Sequence, residues 1–250
     1  MYQTRVILVG LILLCGCVKP GEHPRHAGTS FPFAEYLSKV DWLGNPSDST
    51  VPYFPDIFRG DSTSNWKVRE YARSLNFFHS WAMFHLREPV LSVRPLAVPM
   101  FRVIVFQELG RVLVVRAAKV KDSVEIVSKT DVYCGICIPV IDSVRSFHFS
   151  SAVWDTLSEL ADSSGLWAQS AHAKIHALYW RTVWLVEAQD SDRYAFDFAD
   201  YPIANRDDRA FSLVCLYLLS LGDIHVRPWE SFHFNPREAY DWIKEGGKSH

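Results

Sequence analysis

The chain has 250 residues, of which 48% are hydrophobic, 22% charged and 14% aromatic, and its formal net charge is −2. This is enough for one or two domains with a sizeable core, and 16 Phe, 10 Tyr and 9 Trp exclude a disordered, collagen-like or low-complexity chain. Near-neutral charge gives no bulk attraction to nucleic acid, and five cysteines are too few for a disulfide-built scaffold of this size.

Residues 1–5 carry one positive charge, and residues 6–14 (VILVGLILL) are uninterrupted apolar. A membrane-crossing helix needs about 20 such residues, so the run is too short to span and has the length of a secretory h-region. Leu14-Cys15-Gly16-Cys17 follows, with a small residue directly before the second cysteine. This arrangement resembles a bacterial lipoprotein signal. The resemblance implies that the Cys17 thiolate takes a diacylglyceryl group, that cleavage falls between Gly16 and Cys17, and that the new amine is acylated. Cys15 is the poorer acceptor because bulky Leu14 precedes it. Two or more acyl chains give stable anchoring where one does not. Val18 follows Cys17 where an acidic residue would mark inner-membrane retention, so the resemblance favours the outer membrane, facing the periplasm. The division expected is a signal peptide over 1–16, lipidated Cys17 with a flexible tether over 17–33, and a single α+β domain over 34–250. Pro, Gly and His dominate 18–30, which has almost no apolar content.

In the domain, 64–88 lacks Gly and Pro and spaces Trp66, Tyr71, Leu75, Phe78, Ala82 and Leu86 as one helical face, ended by Pro89. Val- and Ile-rich runs at 101–107, 112–119 and 124–130 read as a three-strand antiparallel meander. Ser151 is placed to cap a helix over 152–162 that Gly165 ends. Runs at 182–188 and 194–198 flank a turn and make a second hairpin. Asn205 is placed to cap a helix over 206–221, closed by Gly222, and Pro236 opens a short C-terminal helix. The helix over 210–221 is apolar on nearly every side but only about 18 Å long, which suits a core and not a membrane. The order of elements predicts an α+β fold, an antiparallel sheet with helices packed mainly on one face.

Chemistry is sparse. Cys134-Gly135-Ile136-Cys137 fits a local disulfide, a redox dithiol or half of a zinc site. A second C-x-x-C is lacking, Cys215 stands alone in an apolar helix, and Pro139, Val140 and Ile141 oppose a helix starting at Cys134. An oxidising periplasm favours the disulfide. His172 and His176 stand four apart without the intervening carboxylate of H-E-x-x-H, and His225 and His233 can join them only through the fold. No nucleophile elbow, phosphate loop or dinucleotide turn occurs, so the sequence names no catalytic residue, metal ligand or cofactor. Trp154, Trp167, Trp180, Trp184, Trp229 and Trp242 suit a filled core better than a ligand cleft.

One further likeness rests on residues 145–157 (RSFHFSSAVWDTL), Leu166-Trp167, Trp184-Leu185-Val186-Glu187 and Tyr194. It resembles a class of uncharacterised proteobacterial lipoproteins, in which a Trp- and Leu-bearing helix precedes a Trp-x-x-Glu strand and a Tyr-bearing strand. The likeness spans about residues 100–222, and Arg181-Thr182 stands where the class often has Asp-Gly. It implies no activity. The expectation is a lipid-anchored binding or interaction module whose partners are the membrane and an envelope protein, not nucleic acid. The alternatives are an envelope enzyme, either a thiol oxidoreductase at Cys134 and Cys137 or a hydrolase, and an immunity or inhibitor protein.

Overall fold

The computed structural model describes residues 31–54, 78–107, 112–132, 140–167, 183–200, 209–224 and 236–245. Six antiparallel strands form one sheet in the order β4-β3-β2-β1-β5-β6. In chain order they are β1 (Met100–Phe106), β2 (Val112–Val120), β3 (Ser123–Val132), β4 (Val140–Ser150), β5 (Val183–Gln189) and β6 (Tyr194–Asp200). The α+β fold is as the sequence predicts. The meander has four strands, however, because β4 extends it, and the second hairpin joins at the free edge of β1.

Side chains alternate across a strand, so each strand supplies two surfaces. Phe101, Val103 and Val105 of β1 and Leu113, Val115 and Ala117 of β2 point into one core. Over them lie α2 (Ala152–Ser163), α3 (Arg209–Leu221) and α4 (Pro236–Lys244), with Trp154, Leu157, Phe211, Leu218 and Tyr240 buried. The sequence-predicted core role holds for Trp154, Trp167 and Trp184; Trp154 sits 4.9 Å from the Phe101 ring. Trp180 and Trp229 lie outside the described residues.

The opposite face is also covered. Ile104, Phe106, Val114, Leu185 and Phe196 meet Val51, Tyr53, Phe54, Met83, Leu86 and Leu91, which come from an irregular N-terminal layer. That layer holds a short 3-10 helix (Ala34–Lys39) and the helical stretch 78–85, here α1. Burial on both faces explains why β1 and β2 read as nearly continuous apolar runs.

Helix ends depart from the sequence reading in instructive ways. The long helix expected over 64–88 is helical at 78–85 among its described residues, and 64–77 lie outside them. It stops ahead of Pro89, with Arg87 in the left-handed region at φ 52° and Glu88 N–H donating to Met83 O at 3.1 Å. Ser151 precedes α2 as expected, but its own backbone is helical and its side chain makes no cap bond. Gly165 does close α2, at φ 69°, with Leu166 N–H donating to Ala161 O at 3.0 Å. For α3 the left-handed residue is Asp223 (φ 49°), not Gly222. Gly222 answers a packing demand instead: a Cβ there would lie 2.7 Å from Val115 Cγ2 and 3.2 Å from Ser128 Cβ. Asn205 lies outside the described residues.

The strand that the sequence reading missed, β4, is an edge. Its burial alternates, and Val140 and Val144 are exposed. Asp142 is an extra residue between the pairs Thr130–Ser143 and Asp131–Ile141, a bulge of the kind that blunts open edges.

Candidate functional site

Five charged side chains meet beneath the N-terminal layer. The register places Arg102 of β1 opposite Arg116 of β2 on one side and Glu187 of β5 on the other. Lys129 of β3 reaches the same face one strand further on. Two arginines directly opposite would repel one another. Glu88, delivered from above by the left-handed turn at Arg87, resolves that repulsion: its Oε2 lies 3.4 Å from Arg102 Nη1 and 3.3 Å from Arg116 Nη1, and its Oε1 lies 2.7 Å from Lys129 Nζ.

Arg102 and Lys129 make further bonds, while Arg116 Nε is buried without a hydrogen-bond partner among the described residues. Arg102 Nε donates to Glu187 Oε2 at 2.9 Å, Nη2 pairs with the same oxygen, and Nη1 donates to Pro89 O at 2.7 Å. Tyr194 donates its hydroxyl to Glu187 Oε1 at 2.8 Å, and Tyr53 donates to Glu88 O at 2.7 Å. Lys129 Nζ donates to Leu86 O and Arg87 O at 2.8 and 3.0 Å, where the last carbonyls beyond α1 attract a cation.

Burial pushes the Glu88 carboxyl up, but Arg116, Lys129 and Arg102 outweigh it and hold it below the usual carboxylate range. Glu187 goes the other way. Its burial dominates over Arg102 and two hydrogen bonds, and Glu88 adds repulsion, so its carboxyl lies above the usual range. The two acids share Arg102 yet shift oppositely because Glu88 faces three cations and Glu187 one. Burial likewise raises Tyr194, reinforced by Glu187.

The side chains of Arg102 and Glu88 are wholly enclosed, and so is that of Glu187, while Arg116 keeps 19% exposure at the rim. Arg102, Glu88 and Glu187 are therefore closed off from solvent, and only Arg116 and Lys129 reach the rim. The cluster binds the N-terminal layer to four neighbouring strands. Removing one member would leave a buried charge uncompensated. The likeness drawn from Trp184, Glu187 and Tyr194 therefore falls on structural positions: Trp184 fills the core, and Glu187 and Tyr194 are bonded to each other.

The sequence-predicted sites are not among these residues. Cys17 lies outside the described residues. So do Cys134 and Cys137, on the chain that links β3 to β4, and His172, His176, His225 and His233. Cys215 is buried within α3, and burial, with Asp197 nearby, raises its thiol well above the ordinary value. Among the described residues no group of three or more His, Cys, Asp or Glu is placed to hold a metal ion.

The charge cluster was missed from sequence, although a signal was present. Arg102, Arg116 and Glu187 each stand between apolar neighbours in strands buried on both faces, and a charge in such a run needs a partner. Comparison with protein-family models, curated proteins and solved structures yields no match.

Proposed function

We propose that this protein is a lipid-anchored, periplasm-facing envelope protein that acts as a binding or interaction module. The carrying observation is the apolar run 6–14 leading directly into Leu14-Cys15-Gly16-Cys17, followed by a polar, turn-rich stretch up to the first described residue, Phe31. Cys17 thiolate would displace the headgroup phosphate from the glyceryl carbon of a membrane phospholipid, forming a diacylglyceryl thioether. The amine freed by hydrolysis after Gly16 would take an acyl chain from a second phospholipid, leaving its lyso form. Among the described residues no helix is long and apolar enough to cross a membrane. Binding is favoured over catalysis because the charged groups gathered on the sheet are spent on one another. A thioredoxin-type alternative at Cys134 meets a spatial objection, since β4 already begins at Val140 and leaves less than two helical turns.

The test is the mass of the N-terminal peptide of the mature protein recovered from bacterial membranes. The expected peptide starts at Cys17 and carries a diacylglyceryl thioether and an amide-linked acyl chain. Cys17→Ala is expected to abolish both the modification and the cleavage. A mature N-terminus elsewhere, or an unmodified Cys17, would sink the proposal. A reduction potential for Cys134 and Cys137 within the oxidoreductase range would move the reading to the enzyme alternative.

A further inference from the structure

The N-terminal layer carries a second unusual feature, on its outer side. Trp42 is 62% exposed, and Leu37 and Leu43 are 49% and 48% exposed. These three are half of the large apolar residues that are exposed among the described residues, and they fall within seven residues of chain. The segment is tightly constructed. Asp41 Oδ1 accepts the N–H groups of Leu43 and Asn45, each at 2.8 Å, and Oδ2 accepts Asn45 Nδ2 at 2.9 Å. Val40 and Pro46 bridge its base. Gly44 adopts φ +88° and has no room for a Cβ, which would lie 2.8 Å from Pro89 Cβ. Its carbonyl accepts Val90 N–H at 2.8 Å, tying the loop to the body. Trp42 and Leu43 thus stand on a fixed base with their side chains in water.

We infer that this loop is a membrane-seating surface: Trp42 and Leu43, with Leu37 beside them, insert into the interfacial region of the bilayer that holds the anchor. The inference rests on the lipid-anchor reading. Thirteen residues, 18–30, separate Cys17 from Phe31. A flexible chain of that length has a root-mean-square reach of about 20 Å and a maximum of about 45 Å. Phe31 and Phe33 pack on the N-terminal layer, so the tether emerges from the layer that bears the loop. A bilayer is therefore the surface this loop meets most often. Tryptophan favours the headgroup level, where its apolar ring and polar N–H are both accommodated. A loop already held rigid loses little conformational freedom on insertion. Between Phe31 and Phe54 the charged residues are Glu35, Lys39, Asp41 and Asp48, with Lys39 paired to Asp48 at 3.5 Å. This acidic balance cannot draw the loop to anionic lipid, so the contact is apolar and is not weakened by salt, which only screens the repulsion.

The test uses the protein purified from its own membranes and reconstituted in phosphatidylethanolamine–phosphatidylglycerol vesicles. The vesicles contain phospholipid brominated either near the headgroup or near the acyl-chain end. The signal of Trp42 is the difference between the wild-type protein and Trp42→Phe. We expect that signal to be quenched about twofold more strongly by shallow than by deep bromine, with no loss at high salt. In the lipidated protein, Trp42→Ala with Leu43→Ala should leave membrane attachment intact but speed proteolysis of the tether by about tenfold. If Cys17 carries lipid while Trp42 is quenched by aqueous iodide and by neither bromolipid, the seating surface is overturned and the anchor stands. Shielding from iodide and bromolipid together would mean that protein, such as a second copy, covers the loop, and would overturn it too. Bromolipid quenching of a protein whose Cys17 bears no lipid would sink the anchor and keep the surface.

Discussion

At the scale of single residues, the interior is defined by ionisable groups whose states are set by burial and by immediate neighbours. Glu88 is the most consequential, because one carboxylate serves Arg102, Arg116 and Lys129 together. Glu88→Gln keeps the shape but removes the charge, and should lower unfolding free energy by about 3 kcal/mol or more in urea denaturation. A loss below about 1 kcal/mol would mean that water or movement compensates the three cations. His79 provides a different handle. It is fully enclosed, stacked on Phe106 at 3.8 Å, and burial lowers its pKa to about 3. Its unfolded value is about 6.5, so between pH 6.5 and 3 the unfolded chain holds the extra proton. Stability from this group is thus complete above about pH 6.5 and is lost as pH falls towards 3. Glu88, held low, loses its contribution as pH falls from the ordinary carboxylate value towards its own lower one, whereas Glu187, held high, adds stability as pH falls through its raised value. Between pH 6.5 and 5 His79 is joined by His85, whose pKa burial also lowers, and opposed by Glu187, so the part that His79 supplies is read from a variant lacking it. His79→Phe, which preserves the ring stack, should flatten the slope over that range by up to about 1.4 kcal/mol per pH unit. An unchanged slope in denaturation at several pH values would show that His79 is not the group being charged.

At the scale of elements, close approach decides more than local propensity. The C-terminus of α3 comes down on β2 and β3 so tightly that only hydrogen fits at Gly222. Gly222→Ala should cost about 1–3 kcal/mol, since the methyl must displace Val115 or lift the helix. A neutral effect in thermal unfolding would show that the helix end can shift freely. Asp223 provides the left-handed residue that a glycine usually supplies, and its carboxylate meets Arg145 Nη1 of β4 at 2.6 Å. That ion pair is exposed at both ends and adds little stability.

At the scale of the whole molecule, the sheet separates two unlike layers. Helices α2, α3 and α4 bury an almost purely apolar face, whereas the irregular N-terminal layer is joined to the other face by Glu88 and by Pro89 O, which accepts from Arg102. β1 lies at the centre, paired on both sides and covered on both faces, and β4 lies at an edge with alternating exposure. Amide hydrogen exchange should therefore be slowest in β1 and in the bonds it shares with β2 and β5. In β4 exchange should run through local opening. Equal protection in β4 and β1 would indicate that something covers the β4 edge in solution. The layer that carries the charge lock also carries the Trp42 loop and Phe31, the first described residue of the chain.

Periodicity and punctuation were enough to place β1, β2, β3, β5, β6 and α2 within a few residues, together with the α+β class, because each rests on interactions with near neighbours in the chain. They also carried the expectation of an anchor at Cys17, which depends on a contiguous run of seventeen residues. β4 escaped because it is an edge strand whose polar and apolar residues follow no long run. The charge cluster escaped for a deeper reason. Arg102, Arg116, Lys129 and Glu187 each look misplaced in its own strand, and they become complementary only when strand register aligns them. Glu88 reaches them because the left-handed turn at Arg87 aims it inward. The same holds for Trp42, one aromatic among many until the fold leaves it outside the core. Local sequence determines what an element is; which face is buried, and which charge meets which, is decided by contacts between residues far apart in the chain.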